Sequence, residues 1–476
     1  MKSTSILLAA LATCFRMGAN AATVMKVTSF DGPVSGEELQ SFSSYISTLE
    51  PANDNIGNQW AQGHSGEATK AMGLVYSISG QQEVLDNMLR FCDAVLSQRN
   101  DLAKAPIGQH KIWTGDIAPV WPNNVNASPI STGGEQGDPV GHLASCAHLI
   151  LKDEKLYGKT VAIGDEHDYG KTYLERARTY IKQADKAMAG HILSRLLDVS
   201  RGDKMYFARD SPYKGGTPVP WNQQMMFNYA FQNLVAAHAL LGDNTELADK
   251  YKSIMTANMK WFFSGGGSKT KKSKKGSMVY DWEYAVGSRV EDVNHASLDV
   301  AGFHRAYVDG SWNITAGEMT TLANTFVDVM RLGGDKYAGT VEGGCGKGHA
   351  SCIDYVRSGF LLLAEFRSDA YHDIMAADLQ EGGSTTKVDT FSRFLRAANR
   401  QFGDFGLEKR EEEIGNTVLG TPGFWAPEIF LRRNNSVYGF QVDIWSLEVL
   451  LLNVECHELP GKGLMDEISN DDARFS

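Results

Sequence analysis

Thirteen prolines and six cysteines in 476 residues are too few for a proline-rich chain or a disulfide-built scaffold. Beyond the N-terminus no stretch is long and apolar enough for a membrane helix, so a soluble chain with no membrane partner is expected. Strict apolar–polar alternation over five residues or more is scarce, so strands are expected to be minor. Positive charge is in deficit: 46 Lys and Arg against 57 Asp and Glu leave a net charge of −11, which argues against nucleic acid as a partner.

What is present begins with export chemistry. Lys2, an apolar run from Ile6 to Cys14 and the small residues Ala19, Ala21 and Ala22 read as a secretory signal over residues 1–22, despite Arg16. A secreted, extracellular protein is the expectation. Sequons at Asn126, Asn313 and Asn434 are compatible with glycosylation. In an oxidising compartment Cys345 and Cys352 can close the loop CGKGHASC, Cys92 with Cys146 is the next candidate pair, and Cys456 is left over. A metal reading of Cys345, His349 and Cys352 lacks a fourth ligand, so neither metal nor other cofactor is expected.

Most of the chain reads as helices in pairs. Ser35 and Glu38 form a capping-box pattern before Leu39, Phe42, Ile46 and Leu49 at helical spacing. Glu67–Ser79 and Gln81–Gln98 are two apolar-periodic stretches divided by Gly80. The plan returns at Gln223–Leu241 with Glu246–Phe263, and at Ala296–Val308 with Ala316–Met330. A fourth pair is expected around Ser368 and Asp369, after the apolar YVRSGFLLLAEF. The glycines dividing the pairs are irregularly spaced, which disfavours a solenoid and favours a closed ring of hairpins. The expected fold class is therefore all-α, an (α/α) toroid over residues 25–400. The segment Ser264–Ser277, with five lysines, reads as a flexible basic linker.

Three segments at hairpin entrances concentrate aromatic, amide, imidazole and carboxylate groups: Asn58–Glu67, Val219–Phe231 and Tyr280–Val300. Trp60, Trp221 and Trp282 lie in them, and Trp113 and Trp121 in a long Gly- and Pro-rich insertion. Flat aromatics beside hydrogen-bonding groups such as His64 and Glu67 suit a sugar, with its apolar face and hydroxyl rim.

The hairpin series, with WEY…EDVNHASLDV, resembles the toroid group of six-hairpin glycosidases, which also includes polysaccharide lyases acting on uronic-acid polymers. The resemblance covers about residues 25–400 and implies a polysaccharide or oligosaccharide substrate. A lyase needs a group to neutralise the uronate carboxylate and a base and an acid for the proton transfers. Tyr284, Arg289, Asn294 and His295 supply those types in one span, and Asn228 with Tyr229 on another hairpin are expected to help. A hydrolase needs two carboxyl groups about 5–10 Å apart; Glu283, Glu291 and Asp292 against Glu67, Asp116 or Asp138 are the candidates. The clustering of Asn, His, Tyr and Arg favours β-elimination, with a six-hairpin hydrolase or a carbohydrate-binding protein without turnover as the alternatives.

Over residues 404–476 a different resemblance takes over. Asp404-Phe405-Gly406, Gly420-Thr421, Ala426-Pro427-Glu428 and Asp443 resemble the activation segment of a protein kinase and the helix after it. No H-R-D loop precedes Asp404, and in TVAIGDE Gly164 stands where the nucleotide lysine belongs. A truncated kinase fragment, joined to the exported domain by a fused gene and without ATP as a partner, is the expectation.

Overall fold

A computed structural model describes residues 23–403, apart from Pro106, Ile107 and Asn124. The expected signal at 1–22 and the kinase-like residues Asp404, Phe405, Gly406, Glu428 and Asp443 lie outside the described residues. The chain divides into two units, residues 1–398 and 399–476, and nearly all the described residues belong to the first.

Helices dominate it. In chain order they are α1 (Gly36–Ile46), α2 (Gly57–Ala61), α3 (His64–Ser79), α4 (Gln82–Ser97), α5 (Gly137–Leu151), α6 (Tyr173–Ala187), α7 (Trp221–Leu241), α8 (Thr245–Phe263), α9 (Val293–Asp309), α10 (Ala316–Asn324), α11 (Tyr371–Met375) and α12 (Val388–Gly403). Strands among the described residues form four two-stranded pairs: β1 (Met25–Lys26) with β8 (Ser384–Thr385), β2 (Leu197–Asp198) with β3 (Tyr206–Phe207), β4 (Ser268–Lys272) with β5 (Met278–Trp282), and β6 (Arg331–Gly333) with β7 (Lys336–Tyr337).

Local chemistry explains the hairpins. The Ser35 hydroxyl accepts from Glu38 N–H while the Glu38 carboxylate accepts from Ser35 N–H, so α1 starts at a complete capping box. Gly80, Gly242 and Gly310 end α3, α7 and α9 in the left-handed conformation, with φ of 62°, 67° and 80°. A side chain there would strain the turn into the next helix.

Three readings from sequence are corrected. The lysine-rich segment is a hairpin, β4 pairing with β5 in register from Ser268↔Trp282 to Lys272↔Met278; Val279, Tyr280 and Trp282 are buried and anchor it. Around Ser368 there is no second long helix but 3-10 turns at Ser358–Phe366 and Ser368–Ala370 before the short α11. The very apolar Phe360–Ala364 is buried on every side, so no amphipathic helix forms there. Conversely, α5 grows out of the Gly- and Pro-rich insertion, because Pro139 falls in its first turn, where an N–H has no intrahelical partner to lose.

One apolar core runs through the unit, from Met25 and Phe42 to Phe391 and Leu395. The two chain ends of the unit meet: β1 pairs antiparallel with β8, and Phe42 of α1 stacks on Phe391 of α12 at 6.3 Å. Helices α3, α5, α7, α9 and α12 line a common cavity. Both expected disulfides, Cys92–Cys146 and Cys345–Cys352, are formed; the second removes the metal reading of that loop.

Between α4 and α6 sits a buried charged node. Arg176, fully buried, pairs with Asp93 at 2.5 Å and Asp165 at 3.1 Å and donates to the carbonyls of Gly164 and Gly170, while Tyr180 donates to Asp93 at 2.5 Å. Arg176→Met is expected to cost about 3–5 kcal/mol, since it strands Asp93 in the interior. Urea unfolding measures this, and adding Asp93→Leu should recover much of the loss. A single variant as stable as the parent would show that the node contributes nothing.

Candidate active site

The N-terminus of α9 gathers the chemistry. Asp292 is its N-cap: one carboxylate oxygen accepts from the N–H groups of Asn294 and His295, both at 3.1 Å. The other oxygen faces His295 Nδ1 at 2.8 Å and accepts from Arg289 Nη2 at 2.9 Å. Burial pushes the Asp292 carboxyl up, but the His295 bond and charge and the Arg289 guanidinium outweigh it and hold it below the ordinary aspartate range. A carboxylate there accepts only, so His295 carries its proton on Nδ1 and turns Nε2 into the acceptor atom.

Tyr284 lies edge-on to His295, ring centroids 4.9 Å apart, with the Arg289 guanidinium 5.1 Å from its centroid. Its position comes from the chain bend after β5, where the Tyr284 carbonyl accepts from Trp221 N–H at the start of α7 at 3.2 Å. Lys214 donates to the Tyr284 hydroxyl at 3.1 Å. Burial first, then Tyr213 and Glu291, raise Tyr284 above the usual phenol value despite Arg289, so it keeps its proton at neutral pH. Lys214 and Arg289 are exposed and the His295 side chain is 26% accessible, so the group can meet a ligand from solvent.

Behind His295 lies a buried pair of acids. Glu291 and Asp299 are fully enclosed; Glu291 accepts from Asp292 N–H, and Asp299 from Trp282 Nε1–H at 2.9 Å. Each has one remaining oxygen without a donor, which a single proton shared between the carboxyls satisfies. Burial raises both: Glu291 with the added repulsion of Asp299, and Asp299 to about 7 against the bonds from Trp282 and Glu291.

A second feature is the cavity of about 430 Å³ along α3, α5, α7, α9 and α12. Its lining runs from Glu67 to Ser77 on α3 and from Ser297 to Asp309 on α9, while His295 sits in the first turn of α9. The cavity thus runs along α9 from just after His295, but His295 itself is not among its lining residues.

The structure brings Tyr284, Arg289, Asp292 and His295 together and leaves most of the other residues singled out from sequence apart from them. Asn228 and Tyr229 do not reach His295. Tyr229 lies under Arg305 at 4.5 Å, and Arg305 is ten residues, about 15 Å of helix axis, beyond His295. The Asn228 amide is buried against the Met225 sulfur. Asn294 contributes its backbone N–H to the cap, and Glu283 closes a turn by accepting from Gly287 N–H at 2.7 Å. Trp60, Trp121, Trp221 and Trp282 are core residues, 0–3% accessible; large flat indoles fill gaps between helices as readily as they hold sugars. Trp113 is half-buried, edge-on to His191 at 5.5 Å. His64 is exposed in the first turn of α3, and Glu67 lines the cavity. Among the hydrolase candidates, Asp138 is tied to Lys70 at 2.7 Å and Asp116 accepts from Thr114 at the surface. Lys214 was missed. Its segment, SPYKGG, has no periodicity, and only the fold brings it to Tyr284.

No protein-family model matches the chain. The chain is 39% identical over 61 residues to a serine/threonine-protein kinase of Acanthamoeba polyphaga mimivirus, 12% of this chain and 13% of that protein. It is 43% identical over 56 residues to a cell cycle serine/threonine-protein kinase of Saccharomyces cerevisiae, 11% of this chain and 8% of that one. The chain thus spans only a small part of the kinases it matches. Among solved structures, a glycosyl hydrolase family 88 protein from Bacteroides vulgatus aligns over 77% of this chain and 99% of its own at a TM-score of 0.34 and 11% identity, a likeness too loose to fix a fold.

Proposed function

We propose that the chain is a secreted polysaccharide lyase whose helix pairs close into a hairpin toroid and which cleaves a uronic-acid polymer by β-elimination at the start of α9. The observation that carries this reading is the Asp292–His295–Tyr284 group flanked by Arg289 and Lys214. His295 Nε2 removes the proton on the carbon next to the uronate carboxyl group. Arg289 and Lys214 draw the carboxylate and spread the charge that develops on it. Tyr284, which holds its proton, gives it to the departing glycosidic oxygen. One proton is taken and one given, a carbon–carbon double bond replaces the C–O bond, and no cofactor enters. The meeting of β1 with β8 and the shared cavity of the lining helices support closure of the ring.

The test is one assay on glucuronan, alginate, pectin and neutral glycans. Ultraviolet absorbance from the unsaturated uronate should rise with one of the acidic polymers. Reducing ends released without that absorbance would replace elimination with hydrolysis.

Phosphoryl transfer is proposed to be absent. Only an activation-segment pattern is present in the sequence, without the lysine and catalytic Asp that position nucleotide and hydroxyl. The full chain is expected neither to bind Mg-ATP saturably nor to label itself; saturable binding abolished by Asp404→Ala would reverse this.

A further inference from the structure

The interior cavity is a poor fit to a merely structural void. In a chain of net charge −11, its lining carries six cationic side chains to three carboxylates. Of the cations, Lys70 is neutralised by Asp138, and Arg393 reaches the Ser358 hydroxyl, which in turn donates to Asp389. Arg305 rests on the Tyr229 ring, and neither it nor Arg357 has a hydrogen-bond acceptor for its guanidinium among the described residues. The Glu67 carboxyl likewise has no hydrogen-bond partner there, and burial, then Asp389, raises it to about 7 against the pull of Arg393, Lys70 and Arg357. Burial lowers the Arg305 pKa, and a desolvated guanidinium without an acceptor costs free energy unless something supplies oxygen atoms to it; Arg357 is exposed and open to a ligand.

We propose that this cavity is a second ligand site, which takes an anionic monosaccharide with its carboxylate or phosphate between Arg305 and Arg357 and its hydroxyls against Glu67, Gln232 and Asn233. The volume suits this size: about 430 Å³ is at the lower end of small-molecule sites, enough for one or two sugar rings and too little for a polymer. Amides and a carboxyl group among the lining residues suit hydroxyls, and a ring of Arg suits an oxyanion bidentately. His295, Tyr284, Arg289 and Lys214 are not among the lining residues, so the proposal does not depend on the lyase reading.

Calorimetric titration of the full chain tests it with glucuronate, glucose 6-phosphate, inorganic phosphate and glucose as probes. Saturable binding of glucuronate or of glucose 6-phosphate is expected, the better of the two telling which anion the site serves. Arg357→Gln, at an exposed position outside the lyase group, should weaken it tenfold or more, and Arg305→Gln likewise. His295→Ala should leave it unchanged. Inorganic phosphate binding as tightly as either sugar, or glucose binding as tightly as glucuronate, would overturn the proposal. So would the loss of binding in His295→Ala, or the absence of binding by every probe at millimolar concentration.

Discussion

His295→Ala is expected to lower turnover of the acidic polymer by about 10²–10⁴-fold, the usual contribution of a positioned acid or base, while the protein stays folded. The ring sits in the first turn of α9 with a quarter of its side chain accessible, so its removal opens no large cavity. The N-cap survives, because Asp292 still accepts from the backbone N–H groups of residues 294 and 295 and from Arg289. If His295 only buttressed the helix, the opposite pattern would appear: a loss of about 1–3 kcal/mol from the bond that the buried Asp292 oxygen loses, with activity falling only as folded protein falls. Thermal melting and initial rates on one preparation separate the two. Asp292→Asn sharpens the comparison. It keeps the shape of the cap but can donate to Nδ1, which favours the wrong tautomer, so its rate should fall with little change in KM. A destabilised but fully active His295→Ala would end the catalytic claim.

The helical character was legible where apolar residues recur at helical spacing and a glycine marks the stop, as at Gly80, Gly242 and Gly310. It failed where burial is complete. Phe360–Ala364 has no polar face to give a period, and α5 was hidden because Pro139 and its neighbouring glycines read as loop, although Pro is harmless in a first turn. The site followed the same rule. Tyr284, Arg289, Asp292 and His295 were found because a single bend and cap holds them, a contact local in sequence. Lys214 reaches them from 70 residues away, and the cavity draws on α3, α9 and α12, so no short window of sequence contains it. The tryptophans misled because residue type alone does not say which side of a helix faces the core; Trp60 and Trp221 turned inward.

The buried acids behind the site give the chain a pH-dependent weakness, removable by one substitution. Asp299 rises from the ordinary 3.8 to about 7, burial being the main cause, and Glu291 is raised with it. A raised carboxyl means that the folded state holds a proton which the unfolded chain has already released. Stability from this pair is therefore complete in mild acid and falls as pH rises from about 4 to about 7, by up to about 1.4 kcal/mol per pH unit for each proton held. The two titrate as a unit, so the slope belongs to the pair and one proton is the working figure. Asp299→Asn supplies a permanent neutral partner: its carbonyl can still accept from Trp282 Nε1–H, and its amide donates to Glu291, which can then ionise at lower cost. Urea midpoints across that pH range should show the variant gaining on the parent as pH rises, with the difference levelling off above about pH 7. Lyase rates at a fixed pH should change little, because neither acid reaches solvent. A parent–variant difference that stays flat with pH would show that the carboxyls hold no shared proton, and a variant that gains only in acid would reverse the sign and sink the pairing.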